Sequence, residues 1–329
     1  MSSFIANFMF QRLGGVEPLH QAWEARILPL YYSRVGKAII AEKRRECKHA
    51  LPLAVRRCGN WAYRLPPSFH TRGYPVILFF MKAIPPYTVL YADEDIVVLN
   101  KKSGLLIAAD RYDETAPRLD LEAEREFGKL FAVHRIDKDT SGAIAYARNE
   151  RAHRALSLQF ERREVEKIYH CLVYGRPLWE TLHADEALLP DGDAKHRTVV
   201  NKKSGKYSVT DFRLIGVCGQ YAWIEAVPKT GRTHQIRAHL AAHGLYIVCD
   251  PLYGGNRKPV RLSDFKKKWN GDAFEERPLL ARLALHAYKL TIAHPATDER
   301  MTFCAPYPKD MDATRKQLAK LYKVDPLAV

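Results

Sequence analysis

Short apolar runs separated by polar turns make up most of the chain from Tyr87 onward. Thr88–Tyr91 and Ile96–Leu99 flank the acidic turn at residues 93–95, and this pattern predicts a β-hairpin. Further strands are predicted at residues 167–175, 197–200, 207–214 and 221–227. The second and third of these runs flank a lysine-rich tip at residues 201–205, so we expect them to form another hairpin.

Segments with helical spacing of apolar residues lie between these strands. Residues 120–129 are polar and predict a helix, and Ala152, Leu156 and Phe160 recur at the spacing of an amphipathic helix. A third, short helix is predicted with Thr233 as its N-cap and Gly244 as its C-terminal stop. Several hairpins with interspersed helices favour an α+β domain over a parallel doubly wound sheet.

Residues 1 to about 80 have a weaker pattern, because six prolines interrupt any long helix. A basic stretch between Lys43 and Arg57 is compatible with an RNA contact or with a solvated surface. We treat residues 1–84 as an N-terminal extension, either specific to a lineage or an upstream over-reading of the gene. The expected boundaries are 85–315 for a catalytic domain and 316–329 for a C-terminal tail.

Charge adds a functional constraint. Lys and Arg total 52 against 37 Asp and Glu, which gives a net charge of +15. An excess of this size favours a polyanionic partner such as nucleic acid or an anionic membrane surface, although a merely soluble basic protein is also compatible with it. Charge alone does not choose among these.

The cysteine pattern excludes two site classes. The six cysteines are scattered without a C-x-x-C pair, so the sequence indicates neither a zinc site nor a small disulfide framework, and we expect reduced thiols in a cytoplasmic protein.

The longest apolar run, Val76–Met81, is far shorter than the ~20 residues of a membrane span. No secretion signal and no membrane role are predicted.

The most informative stretch is Phe131–Ala147, a short apolar strand, a polar loop and a second apolar strand entered through Ser141-Gly142. The loop contains the string His-Arg-x-Asp-x-x-Thr-Ser-Gly, with Asp137 as its central acid. A loop between strands can present reactive side chains, but an acidic hairpin turn facing water is the ordinary alternative.

The string as a whole resembles the signature of the RluA-type pseudouridine synthases, in which the Asp is catalytic. Three other segments resemble the same family: 167–169 (Lys-Ile-Tyr), 231–237 (Gly-Arg-Thr-His-Gln-Ile-Arg) and 282–287 (Arg-Leu-Ala-Leu-His-Ala). Ile136 stands where the family usually has Leu, and Lys102 stands where it usually has Pro. No pattern of the RNA-binding S4 domain, which many relatives carry at this end, is found before residue 85.

This resemblance implies the pseudouridine synthase fold: a mixed, mainly antiparallel sheet flanked by helices and loops, with an active-site cleft across it. It implies an isomerase that detaches uracil from ribose C1′, turns the base and rejoins it through C5. Asp137 is then the essential residue, Arg232 its guanidinium partner and Tyr169 the active-site tyrosine. For Tyr169, ordinary packing in a strand is the alternative.

The resemblance also implies an RNA substrate whose target uridine leaves its stack, with Arg135 associated with replacing it. Candidate residues for RNA binding and base flipping are Arg135, His134, Thr140, Lys167 and Arg237. Other basic residues, Lys101 among them, would hold phosphates or face solvent. His134 is also expected to support the loop, and Asp139 to face solvent or cap it.

No cofactor and no metal are predicted, because the chain lacks a G-x-x-x-x-G-K loop and a metal-ligand cluster. The expected partner is ribosomal or transfer RNA, and the expected state is a monomer. Two other functions stay open: a non-catalytic RNA-binding or ribosome-assembly factor on the same fold, and an N-glycosidase. The modified uridine and the choice between nucleophilic and elimination routes are beyond the sequence.

Overall fold

A computed structural model of the chain describes residues 53–57, 60–64, 86–108, 116–254, 258–272 and 274–328. The chain divides into two units, residues 1–85 and 86–329. In the first unit, β1 (Leu53–Arg57) and β2 (Asn60–Arg64) form an antiparallel hairpin. The remainder of the predicted N-terminal extension lies outside the described residues.

The second unit contains mixed secondary structure. Its strands are β3 (Tyr87–Ala92), β4 (Ile96–Lys101), β5 (Phe131–Ala132), β6 (Ser141–Ala147), β7 (Glu166–Tyr174), β8 (Thr181–Ala184), β9 (Leu188–Leu189), β10 (Val199–Val200), β11 (Thr210–Cys218), β12 (Tyr221–Pro228), β13 (Tyr246–Ile247), β14 (Leu285–Ala293) and β15 (Arg300–Cys304). Its α-helices are α1 (Leu119–Phe127), α2 (Glu150–Arg162), α3 (Gln235–Ala242) and α4 (Lys309–Tyr322).

Eleven of these strands form one sheet, whose main path runs β3-β4-β6-β14-β7-β12-β11-β8. β5, β13 and β15 join it beside β6, β7 and β14. Within the described residues, β6 and β14 are the parallel neighbours, and the other pairs of the sheet are antiparallel. The predicted α+β fold with a mixed, mainly antiparallel sheet is therefore confirmed.

Strand β6 lies in the middle of this sheet and is buried at every position. Its small residues allow close packing, and Gly142 is the tightest point. Gly142 has φ +118°, and a Cβ atom there would lie 2.2 Å from the carbonyl oxygen of Ala287 in β14. Because only glycine fits, the Ser-Gly entry fixes how closely β6 approaches β14.

The predicted helices are present, with one change at α3. Asn149 caps α2 by accepting a hydrogen bond from the Ala152 amide at 2.9 Å. Helix α3 begins at Gln235 after His234, whose backbone is left-handed, so the prediction of Thr233 as the N-cap is wrong. Instead, the Gln235 side-chain oxygen accepts from the Arg232 amide at 3.0 Å, which ties the preceding turn to the helix.

The predicted pairing of residues 197–200 with 207–214 is also wrong. Strand β10 pairs with β9, while β11 lies between β12 and β8. Asn201 closes the intervening turn by accepting from the amides of Lys203 and Ser204. The segment around Leu188 pairs with both ends of this turn, through β10 and through Lys206, so the two ends do not pair with each other.

Helix α4 packs against the core of the second unit through buried Met311 and Leu318. The predicted boundary between residues 315 and 316 lies inside this helix. Within the described ranges, no helix is both long and apolar enough to cross a membrane.

Candidate active site

The loop between β5 and β6 carries Asp137, and a buried lysine holds it in place. Lys101 is 1% exposed, and its Nζ donates hydrogen bonds to the carbonyl oxygens of Lys102, Leu105 and Lys138 at 2.8–3.0 Å. Burial lowers the pKa of Lys101 to about 7. The interpretation of Lys101 as a phosphate contact is therefore wrong, because its ammonium group is buried and donates its hydrogen bonds to backbone carbonyls.

His134 supports the same loop from the other side. Its Nε2 accepts a hydrogen bond from the Ala145 amide at 3.0 Å, and its ring stacks on Phe160 with centroids 4.4 Å apart. Burial lowers the pKa of His134 to about 3, so the ring is neutral. These contacts agree with a supporting role for His134.

A buried ion pair faces Asp137. The Nη1 atom of Arg237 lies 3.3 Å from Oδ2 of Asp137, and the Nε and Nη2 atoms donate to the two oxygens of Asp250 at 2.8 Å. The Arg237 side chain is 3% exposed and that of Asp137 is 19% exposed. Although burial acts in the opposite direction, the bidentate contact lowers the pKa of Asp250, so that carboxylate stays charged and orients the guanidinium.

The prediction that Arg232 is the guanidinium partner of Asp137 is corrected by this geometry. Arg232 precedes α3, and its Nε donates to the Tyr207 carbonyl at 3.2 Å. Arg237 lies within α3 on its buried side, where its side chain is directed between Asp137 and Asp250. The sequence signal for this partner is the last arginine of the segment 231–237, not the first.

His234 and Tyr253 complete the surroundings of the acid. The Nε2 atom of His234 lies 4.0 Å from Oδ2 of Asp137, and its Nδ1 lies 3.5 Å from the Tyr253 hydroxyl. Burial lowers the pKa of His234. The Tyr253 hydroxyl donates to the Thr198 carbonyl at 3.0 Å, and its ring lies 5.1 Å from the Arg237 guanidinium. These residues, together with Asp250, were missed as site residues by the sequence analysis.

These elements surround a cavity of about 550 Å³. The residues predicted for the site share its lining: His134, Arg135, Asp137, Thr140, Lys167, Tyr169, Arg232 and Arg237. Asp139 is not part of this lining, whereas Glu161 of α2 is. The structure thus brings together every residue that the sequence analysis assigned to the site.

Two polar side chains from β7 line the cavity, the buried Tyr169 and the half-buried Lys167. Burial, assisted by the charge of Asp137, raises the pKa of the Tyr169 hydroxyl. Burial lowers the pKa of Lys167 to about 8, and within the described residues no carboxylate forms an ion pair with it. Lys167 therefore places a cation, with no acidic partner, beside the acid and the tyrosine.

The segment 282–287 contributes Leu285 to the cavity lining and supports the site through Arg282 and His286, which are outside the lining. Arg282 is held by Asp310 through two hydrogen bonds of 2.7 and 2.9 Å, and its Nη1 lies 3.3 Å from the Ser141 hydroxyl. Ser141 in turn contacts Nδ1 of the fully buried His286 at 2.9 Å, while Nε2 of His286 donates to the Ala305 carbonyl. This network ties the start of β6, next to Asp137, to β14 and α4.

The arrangement suits chemistry at an electrophilic carbon. A carboxylate with a guanidinium at its edge can attack a sugar carbon or stabilise positive charge that develops there. In the part of the chain that the structure describes, no cluster of His, Cys, Asp or Glu has the composition of a metal site.

Residues 95–242 match the family model described as RNA pseudouridylate synthase. The dual-specificity RNA pseudouridine synthase RluA of Escherichia coli is 34% identical over 223 residues, which cover 68% of this chain and 94% of the relative. The ribosomal large subunit pseudouridine synthase D of Zymomonas mobilis is 32% identical over 245 residues, which cover 71% and 73%.

Two solved human structures are also similar. RNA pseudouridylate synthase domain containing 1 is 25% identical, with a TM-score of 0.51 over 68% of this chain and 84% of that one. RNA pseudouridylate synthase domain containing 4 is 22% identical, with a TM-score of 0.54 over 70% and 92%, and it supports the fold alone.

Proposed function

The chain belongs to the RluA-type RNA pseudouridine synthases, and we propose that it isomerises uridine in RNA at Asp137. The main support for choosing Asp137 is its position: it lines the cavity, and its carboxylate lies 3.3 Å from the Arg237 guanidinium. The guanidinium places a positive charge beside the Asp137 carboxylate, whose side chain is 19% exposed. In this account, the carboxylate acts at ribose C1′ or on a proton of the sugar, and both routes stay open.

Tyr169 supports a role next to Asp137. Its ring forms part of the same cavity, and its raised pKa keeps the hydroxyl protonated at neutral pH. We propose that the ring packs against the uracil and that the protonated hydroxyl assists proton removal at C5 by hydrogen bonding to the base, while the Asp137 carboxylate accepts the proton.

The target uridine has to leave its stack to reach Asp137, at a cost of a few kcal/mol. Arg135 lines the cavity, is exposed and lies two positions before the acid. We propose that its planar guanidinium takes the place of the extruded base, and that Lys167 holds an RNA group deeper in the cavity.

The RNA class is inferred from the relatives. The name of the Zymomonas mobilis relative refers to the ribosomal large subunit, and the name of the Escherichia coli relative describes a dual-specificity RNA pseudouridine synthase. We propose ribosomal or transfer RNA as the substrate of this chain. That the enzyme is cytoplasmic and monomeric, and that residues 1–84 are an N-terminal extension of unknown role, stay predictions.

Chemical mapping of pseudouridine in ribosomal and transfer RNA, from cells with and without the gene, tests the function. The account predicts one or more sites that disappear on deletion and return with the wild-type gene. Unchanged maps would contradict it and favour the assembly-factor alternative. Release of free uracil from RNA by the purified protein would favour an N-glycosidase, for which a second carboxylate such as Glu161 would be needed to activate water.

A further inference from the structure

Two arginines of the cavity lining contact Tyr207, which carries an exposed aromatic ring. Tyr207 is 58% exposed. The Arg163 guanidinium lies 5.3 Å from the centroid of its ring, and Arg232 donates to its carbonyl oxygen at 3.2 Å. Arg163 and Arg232 both line the cavity that contains Asp137, so the ring stands beside that cavity.

Neither arginine forms an ion pair with a carboxylate in the described part of the chain, in contrast to Arg237, Arg282 and Arg315. Arg232 uses its Nε on Tyr207, and its Nη atoms have no hydrogen bond to any described residue. Two guanidiniums with unused donors therefore lie at Tyr207, that of Arg163 over the exposed ring and that of Arg232 at the backbone carbonyl. Such donors match phosphate oxygens and the edges and faces of bases.

The backbone at Arg163 also favours a role for its side chain. Arg163 directly follows α2 as its C-cap, with φ +63°, a left-handed conformation that glycine adopts at lower cost. The side chain that this position carries is the one placed over Tyr207. The adjoining turn supplies further positive charge, because Lys202, Lys203 and Lys206 are exposed.

We propose that Arg163, Tyr207 and Arg232 form a stacking platform for an unpaired RNA base that neighbours the target uridine. The Tyr207 ring, backed by the Arg163 guanidinium, stacks on the base, and Arg232 binds an adjacent phosphate. The inference deepens the proposed function and rests on it. A paired A-form helix does not expose base faces, so the platform selects single-stranded or loop RNA.

The test measures binding by the full chain to an oligouridylate of about 15 nucleotides, a length within the range that single-strand sites cover, and to a duplex of the same length. Tyr207→Ala is expected to weaken single-strand binding about tenfold, because it removes one base–aromatic stack. Tyr207→Phe keeps the ring and should bind within about twofold of wild type. Phe274→Ala, which removes another fully exposed ring, should bind as wild type does.

The arginines give a second readout. Arg232→Ala should lower the slope of log K against log salt by about 0.7, the value for one phosphate contact on a single strand. Arg154→Ala is the matched control, because Arg154 is an exposed arginine of α2 outside the cavity lining. A wild-type slope for Arg232→Ala would contradict the phosphate contact.

Wild-type affinity of Tyr207→Ala would overturn the platform, as would equal losses for Tyr207→Phe and Tyr207→Ala. Circular dichroism melting of each variant separates misfolding from lost stacking, and a folded protein is required for either conclusion. Pseudouridine formation is assayed in parallel. Intact stacking without any isomerisation would overturn the proposed function and leave the platform, whereas isomerisation without a Tyr207 effect would do the reverse.

Discussion

Arg237 contacts two carboxylates at once: Asp137 at 3.3 Å through Nη1 and Asp250 at 2.8 Å through Nε and Nη2. Asp250, the buried carboxylate, therefore orients the guanidinium that faces Asp137, the proposed reactive carboxylate. A lysine ammonium could contact either carboxylate. Only the planar guanidinium of an arginine can donate two hydrogen bonds to Asp250 and keep a third N–H group for Asp137.

Arg237→Lys is expected to fold with reduced stability and to lose about 100-fold or more in kcat, the cost of removing a preorganised electrostatic partner. An ammonium group cannot make the bidentate contact and reach Asp137 at the same time. Single-turnover pseudouridine formation measures the loss. Arg232→Ala is the matched control, and it should alter RNA affinity more than the single-turnover rate; the opposite pattern would restore Arg232 as the partner of Asp137.

Lys167 predicts an alkaline limit to activity. Its free-enzyme pKa of about 8 means that its positive charge is lost as pH rises through 8, so kcat/KM should fall there if the charge binds RNA. Lys167→Arg keeps the charge and should move this limit to higher pH, while Lys167→Met should have a low kcat/KM without it. A limit near pH 8 in Lys167→Met would show that another group is responsible.

Buried neutral histidines predict sensitivity to acid. The pKa values of His134 and His286 are each lowered by burial from 6.5 to about 3. Between pH 6.5 and pH 3 the unfolded chain binds more protons at these rings, so the free energy of unfolding decreases as pH falls through this range. His134→Gln, which retains an acceptor for the Ala145 amide, should weaken this dependence, as measured by urea unfolding at pH 7 and at pH 5. An unchanged dependence would contradict the assignment.

Gly142→Ala tests the close approach of β6 to β14. A Cβ atom 2.2 Å from the Ala287 carbonyl oxygen cannot be accommodated without moving β14, and φ +118° adds strain. We expect a loss of about 3 kcal/mol or more in the free energy of unfolding. Gly104→Ala is the control, because Gly104 also has positive φ but its Cβ would meet nothing within 4 Å. Equal losses of unfolding free energy in the two variants would show that backbone strain alone causes the effect, and not the contact with β14.

Much of the site could be predicted because its residues lie in short strings. The loop with Asp137, the strand with Tyr169 and the turn before α3 are local in sequence, and their residues share one cavity. The hairpin of β3 and β4 was predictable for the same reason, since the acidic turn joins neighbouring runs.

The errors concern relationships across the chain. Arg232 and Arg237 both belong to one motif, and only the direction of α3 decides which guanidinium faces Asp137. Asp250 orients Arg237 from a segment whose sequence carries no sign of that pairing. Lysine is a residue type that often contacts phosphates, but Lys101 is buried by the loop that it supports. Only the fold shows that this particular lysine is buried.

The most direct test of the central claim is single-turnover pseudouridine formation by Asp137→Asn, with RNA affinity and thermal stability measured on the same preparation. Asparagine is nearly isosteric and keeps a hydrogen-bond acceptor for Arg237, so the account predicts normal folding, RNA affinity within about threefold of wild type and no detectable product. Asp139→Ala, outside the cavity lining, should retain activity. Product formation by Asp137→Asn at the wild-type rate would contradict the assignment of Asp137 as the reacting carboxylate.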